Sequence, residues 1–116
     1  MTLPLNPEIL EQAYEYVRAT PPFCKWNLPD GEDVVFRVVW DPTRRGWYNK
    51  IKGRHVIAVS SRCTGHTSSL IETMAHEMIH LHQESAGMEN GAQHNAAFLK
   101  LAAQVCKVHG FDPKLF

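Results

Sequence analysis

The chain lacks an excess of charge of either sign, and it contains few cysteines. Its 116 residues include 12 Lys or Arg and 12 Asp or Glu, so the formal net charge is zero. A domain that binds nucleic acid mainly through charge usually carries a basic excess. The three cysteines include no CxxC pair, which argues against a disulfide scaffold and against a cysteine zinc finger. We therefore expect reduced cysteines and an intracellular protein.

Long hydrophobic runs are also missing. No apolar run approaches the roughly 18 residues that a membrane-spanning helix needs, and the first residues show no basic region followed by an apolar stretch. We therefore expect no signal peptide and no membrane partner. Apolar residues make up 44% of the chain and charged residues 21%, as in ordinary globular domains. The length fits one domain, so residues 1–116 are expected to form a single domain.

Periodicity and turn chemistry predict three helices and three strands. The helices are expected over residues 6–19, 68–86 and 94–108, and the strands over 34–40, 47–51 and 55–60. Ser69 and Glu72 have the spacing of a capping box at the start of the second helix. Lys52-Gly53 predicts a hairpin turn between the last two strands. The expected fold class is α+β, with a small three-stranded antiparallel sheet packed on the helices.

Four of the seven histidines lie between positions 76 and 94. Residues four apart on a helix lie on the same side, one turn apart, so His76 and His80 can share one Zn²⁺. Glu77 would flank the ion rather than bind it, which is the position of a general base for a metal-bound water. A catalytic zinc needs a third protein ligand. His94, which follows a loop and begins the last helix, is the best candidate, and Glu84 is the more local alternative.

The segment His76-Glu77-Met78-Ile79-His80, a glycine-containing loop, and His94 followed four residues later by Phe98 resemble the SprT-like zinc metalloprotease domain. This family includes the Spartan proteases of DNA–protein crosslink repair. The resemblance covers residues 34–110 and implies a zincin-like fold with Zn²⁺ as the cofactor. It implies that His76, His80 and His94 are the zinc ligands and that Glu77 is the catalytic acid and base. It also implies a cytoplasmic or nucleoid-associated location.

The resulting hypothesis is a zinc-dependent endopeptidase that hydrolyses peptide bonds with a metal-activated water and acts on DNA-associated proteins. A protein or peptide is then the substrate. By analogy, an extended substrate would add to the edge of the sheet, formed by strand 55–60 or its neighbour. Three side chains are alternatives for the donor that stabilises the oxyanion: Tyr48, His82 and His109.

A basic run, defined as Arg44, Arg45, Lys50 and Lys52, interleaves with two aromatic residues. One interpretation is a patch for single-stranded DNA, which combines phosphate attraction with base stacking. The other is a solvated hairpin whose aromatic residues pack on the core, and the zero net charge favours it. The alternative function is accordingly a nucleic-acid-associated binding module whose zinc site is structural or vestigial. The presence of Glu77 argues against that alternative, because a structural site needs no base.

Overall fold

The computed structural model describes residues 5–61, 67–88, 94–114 and 116. In these ranges it contains three α-helices and one three-stranded sheet, so the predicted α+β class is confirmed. Two short 3₁₀ turns, at Phe23–Lys25 and Gly31–Asp33, connect the first helix to the first strand. The main elements, in chain order, are α1 (Pro7–Arg18), β1 (Val34–Val39), β2 (Gly46–Ile51), β3 (Arg54–Ser60), α2 (Thr67–Ala86) and α3 (Ala96–His109).

The sheet is mixed, and the predicted antiparallel meander is therefore wrong. Its order is β1-β3-β2, with β1 parallel to β3 and β2 antiparallel to it. The strand β3 is buried without interruption from Val56 to Ser60, and a strand buried on both faces belongs in the centre of a sheet. The strands β1 and β2 carry exposed residues and take the two edges. Pairing follows this burial rather than the order of the strands along the chain.

The predicted hairpin between β2 and β3 is confirmed. Both turn residues have positive φ angles, 52° at Lys52 and 79° at Gly53, as a two-residue turn of the primed type requires. The strand 55–60, which was one candidate for the substrate edge, lies in the centre as part of β3. Its neighbour β2 is the edge strand that packs against α2.

The helices α1 and α2 pack on one face of the sheet. Phe36 of β1 contacts Tyr14 of α1, with ring centroids 5.4 Å apart, and Ile57 of β3 is completely buried in the same core. Met74 and Met78 of α2 are likewise fully buried, so the apolar side of this helix fills the core. The helix α3 packs against α2. One side of α2 therefore remains available to face α3 and the edge of the sheet.

The start of α2 differs from the prediction. The helix begins at Thr67, so Ser69 lies within its first turn and is not an N-cap, and the expected capping box is wrong. Glu72 instead forms an ion pair with Arg45, at 3.5 Å between Oε1 and Nη1. This contact joins α2 to the segment that enters β2. No helix in the described ranges is both long and apolar enough to cross a membrane.

Candidate metal centre

Three imidazoles, two from α2 and one from the segment just before α3, meet beside the edge of the sheet. His76 and His80 extend from α2, and His94 stands just before α3. The three ring centroids form a nearly equilateral triangle, with separations of 5.1, 5.1 and 5.2 Å. Each ring offers one nitrogen, and these nitrogens all lie within 4.8 Å of one another. The histidine triad, as we call these three residues, is a group that could hold a metal ion.

The phenyl ring of Phe98 supports the histidine triad. Its centroid lies 5.0 Å from that of His76, 4.6 Å from that of His80 and 4.4 Å from that of His94. Phe98 is buried in the first turn of α3, four residues after His94. Because of this spacing, α3 supplies the apolar surface against which all three rings pack, and the segment just before it supplies one of the rings.

His76 has one ring nitrogen engaged by the main chain. Its Nδ1 lies 3.0 Å from the main-chain oxygen of Phe116. This main-chain oxygen accepts a hydrogen bond and does not donate one, so Nδ1 is the protonated nitrogen and Nε2 keeps its lone pair. Burial lowers the pKa of His76 to about 3, with further contributions from His80 and His94. The ring is therefore neutral near pH 7, as a metal ligand must be.

The imidazole of His80 has a buried nitrogen that lacks a hydrogen-bond partner in the described ranges, and a bound cation would give this nitrogen a partner. Its Nε2 is shielded from solvent and has no hydrogen-bond partner among the described residues. Such an orphaned polar atom costs free energy in a protein interior. Burial, followed by the effect of His94, lowers the pKa of His80 to about 4, so this ring is also neutral near pH 7. An unpartnered nitrogen within a cluster of imidazoles fits a divalent transition metal such as zinc.

Glu77 lines the same pocket as the histidine triad. Its side chain is only 5% exposed. Burial raises the pKa of its carboxyl group to about 8, although Arg44 and Arg45 oppose the increase. A carboxyl group whose pKa lies close to neutrality is suited to accepting and returning a proton.

These groups share one open pocket of about 240 Å³. The threonine at position 73 was not recognised from the sequence, although it lies four residues before Glu77 and hence on the same side of α2. Its buried Oγ1 has no hydrogen-bond partner in the described part of the chain. The pocket is lined by Arg44, Arg45, Gly46, Thr73, His76, Glu77, His80 and His94.

The three side chains considered for oxyanion stabilisation lie elsewhere and do not line this pocket. The hydroxyl of Tyr48 is hydrogen-bonded to Nδ1 of His55 at 2.7 Å. The ring of His82 stacks on Trp26 at a centroid distance of 4.4 Å. His109 contacts Thr20 and the carbonyl oxygen of Pro21 through Nε2, each at 3.0 Å. Spacing along the chain gave no indication of these partners.

Three members of the basic run pair with acidic side chains. Arg44 pairs with Asp41 at 3.1 Å, and Arg45 pairs with Glu72 at 3.5 Å. Lys50 approaches Glu84 at 3.8 Å, so the local alternative for the third ligand lies in an ion pair outside the histidine triad. These contacts reduce the net positive charge of the basic run.

A family model described as the SprT-like family matches residues 14–115. The match begins within α1, spans the sheet, α2 and α3, and therefore includes every residue of the histidine triad. No curated protein matches the chain. The chain belongs to the SprT-like family, which indicates a metalloprotease-like domain, and its three neighbouring histidines could hold a metal ion.

Proposed function

We propose that this protein is a zinc-dependent endopeptidase of the SprT-like type. The observation that carries the proposal is the presence of Glu77 in the same pocket as the histidine triad. A structural zinc site is closed by its protein ligands, whereas a catalytic site has three protein ligands and an open position. Three imidazoles facing an open pocket, with a buried carboxyl group in the same pocket, have the composition of a catalytic site.

The zinc ligands in this proposal are His76 and His80 through Nε2, together with His94. The hydrogen bond from His76 to the oxygen of Phe116 leaves Nε2 available, and the unpartnered Nε2 of His80 acquires a ligand. When bound, the ion would act as a Lewis acid that lowers the pKa of a water molecule and polarises the substrate carbonyl.

Glu77 moves the proton. Its carboxylate takes a proton from the attacking water while the water oxygen bonds to the carbonyl carbon of the peptide. The carbon–nitrogen bond then breaks, and Glu77 returns the proton to the leaving nitrogen. A neighbouring cation favours the carboxylate form, which offsets the burial that raises the pKa of Glu77 to about 8.

An extended peptide can pair with the edge strand β2. The main-chain oxygen of Arg45 accepts from the nitrogen of Ser60 on β3 at 2.7 Å. Successive residues of an antiparallel edge strand face alternate sides, so the main chain of Gly46 faces away from β3. Gly46 also lines the pocket. A peptide that pairs there would lie beside Glu77 and the histidine triad.

The decisive experiment compares Glu77→Gln with Glu84→Gln. Both changes neutralise one carboxylate of α2, but Glu84 pairs with Lys50 outside the pocket. Glu77→Gln should keep its fold and its zinc and should lose at least about 100-fold in cleavage of a denatured protein. Glu84→Gln should retain cleavage. A wild-type protein that binds zinc and cleaves neither free nor DNA-linked protein, with or without single-stranded DNA, would support the binding-module alternative.

We also propose that the basic run contacts single-stranded DNA near the pocket, so that the substrates include DNA-associated proteins. The support is positional, because Arg44 and Arg45 line the pocket while Lys50 and Lys52 lie at the other end of the β2 hairpin. The acidic partners of three of these cations weaken the attraction for phosphate. The binding is accordingly expected to be weak and sensitive to salt.

A further inference from the structure

Two buried amide side chains tie the start of α3 to α2. Nε2 of Gln83 donates to Oδ1 of Asn95 at 2.9 Å, and the two residues are only 2% and 8% exposed. The same Oδ1 accepts from the main-chain nitrogen of Phe98 at 2.9 Å, which makes Asn95 the N-cap of α3. Nδ2 of Asn95 donates to the carbonyl oxygen of Met88 at 3.0 Å. The side chain of Asn95 therefore contacts α2, the second residue after the end of α2, and α3.

The partners of Asn95 fix the orientation of its amide group. The nitrogen of Phe98 can only donate and the oxygen of Met88 can only accept, so Oδ1 must face the former and Nδ2 the latter. Gln83 must then present its NH₂ group to Oδ1. All three contacts require the same arrangement, and a buried polar network whose members agree in this way holds its elements in one relative position.

The hydrogen bond between Gln83 and Asn95 lies next to His94, the proposed ligand whose position is least constrained by local structure. His76 and His80 are held at a fixed separation because they belong to one helix. His94 belongs to another segment, so its distance from them depends on how α3 docks on α2. Gln83 lies three residues after His80, and Asn95 is the residue immediately after His94. The hydrogen bond between them therefore acts where the docking of α3 sets the width of the histidine triad.

We propose that Gln83 and Asn95 are positioning residues that hold His94 at the distance at which the three imidazoles share one cation. The proposal rests on the metal site of the proposed function and adds residues that contact no metal. Partners that orient metal ligands typically change metal affinity by about 10- to 100-fold when they are removed. Loss of this hydrogen bond should therefore weaken metal binding more than it weakens the fold.

The test measures Zn²⁺ and Co²⁺ affinity and the visible absorption of the Co²⁺ form at a temperature where every variant is folded. Gln83→Met preserves the length and apolar volume of the side chain, and it leaves Asn95 bonded to Phe98 and Met88. We expect its affinity to fall about 10- to 100-fold and its Co²⁺ absorption to change, because the ligand geometry changes. An affinity and a spectrum equal to those of the wild type would overturn the proposal.

A matched cap variant separates positioning from general stability. Asn6→Ala removes the N-cap of α1, whose Oδ1 accepts from the nitrogen of Ile9 at 2.8 Å, far along the chain from the histidine triad. It should lower the unfolding midpoint and leave metal affinity unchanged. If Asn6→Ala and Gln83→Met reduce metal affinity equally, the role of Gln83 is structural and the proposal is wrong.

The variant Asn95→Ser tests the same hydrogen bond from its other side, so the test stands even if Gln83→Met does not fold. Asn95→Ser keeps a capping oxygen for Phe98 but is too short to reach Gln83, so it should lose affinity to a similar extent as Gln83→Met. The double variant should be no weaker than the worse single one, and full additivity would contradict the proposed coupling. A wild-type protein that takes up no metal would overturn the proposed function and this inference together. Normal metal uptake with unaffected variants would overturn the inference alone.

Discussion

His76 directs Nδ1 at the main-chain oxygen of Phe116, 3.0 Å away, and the two rings also pack with their centroids 5.3 Å apart. The ring of Phe116 in turn stacks on that of Phe111 at 5.5 Å. The segment after α3 thus supports the ring of a proposed zinc ligand and determines which of its nitrogens carries the proton.

The first prediction concerns this support. Phe116→Ala removes the ring that holds the segment against His76, so the carbonyl acceptor is no longer fixed beneath Nδ1. Zinc affinity should fall about tenfold, as expected when the partner of a metal-bound histidine is lost, and competition with a chelator measures it. Val108→Ala is a suitable control, since Val108 lies on α3 with 51% of its surface exposed. Equal affinities in the wild type and Phe116→Ala would show that the contact does not orient the ligand.

The second prediction is a pH dependence of stability in the metal-free protein. The pKa of His76 is lowered from 6.5 to about 3 and that of His80 from 6.5 to about 4. Below pH 6.5 the unfolded chain binds protons at both rings, whereas the folded chain does not. The free energy of unfolding should therefore fall as the pH drops from 6.5 towards 4, by up to about 1.4 kcal/mol per pH unit for each histidine. Urea denaturation in the presence of a chelator measures this slope.

The variant His80→Leu isolates one of the two contributions. The substitution removes a buried imidazole whose Nε2 has no hydrogen-bond partner in the described ranges. An apolar side chain then packs against Phe98 in its place. The slope between pH 6.5 and 4 should become shallower, and at pH 5 the metal-free variant should be more stable than the wild type. Metal binding should be lost. Equal slopes of unfolding free energy against pH in the two proteins would contradict a lowered pKa at His80.

The histidine triad was predictable from the sequence because two of its members lie one turn apart on a single helix. The spacing of His76 and His80 on one helix fixes their relative positions, and Phe98, four residues after His94, marks the buried side of the next helix. The partners of these residues have no such signature. The acceptor for His76 is a main-chain oxygen 40 residues away, and main-chain atoms leave no trace in the residue types.

The strand order of the sheet was not predictable from the sequence for a similar reason. Each strand was recognised from its own residues, because β-branched and aromatic content is a local property. The order β1-β3-β2 depends on which strand the helices bury, which is a property of the whole fold. The stack of His82 on Trp26 likewise required the path of the chain through the 3₁₀ turn at Phe23–Lys25. Tertiary packing decided these features.

The third prediction concerns the basic run. Because Glu84 pairs with Lys50 and Asp41 with Arg44, neutralising these acids should strengthen the attraction of the basic run for phosphate. Glu84→Gln and Asp41→Asn should each increase the affinity for single-stranded oligonucleotide, whereas simultaneous replacement of Arg44, Arg45 and Lys50 by Ala should reduce it.

Titrations at several salt concentrations measure the effect. Each phosphate contact contributes about 0.7 to the slope of log affinity against log salt for single strands, so the triple Ala variant should have a shallower slope. Lys107→Ala on α3 removes an exposed cation outside the basic run and serves as the control. An unchanged slope in the triple Ala variant would remove the proposed DNA contact.

The fourth prediction concerns Gly46, where β2 enters the pocket. A Cβ at this position would lie 2.6 Å from the main-chain oxygen of Ala58 and 3.1 Å from Cγ2 of Thr73. The first distance is shorter than side chains tolerate, and a carbonyl within a sheet has little freedom to move. Gly46→Ala should therefore force β2 away from β3 and α2. We expect a loss of about 1–3 kcal/mol in the free energy of unfolding, as for other overpacked sites.

The same displacement should also impair cleavage, because Gly46 lines the pocket beside Glu77. Zinc affinity should remain close to that of the wild type, since all three histidines lie on α2 or just before α3. Asn49→Ala changes an exposed residue of the same strand and should affect none of these quantities. Urea denaturation, metal competition and peptide cleavage together test the prediction. A Gly46→Ala protein with wild-type stability and cleavage would show that β2 can shift without cost, and that its close approach to α2 does not define the substrate edge.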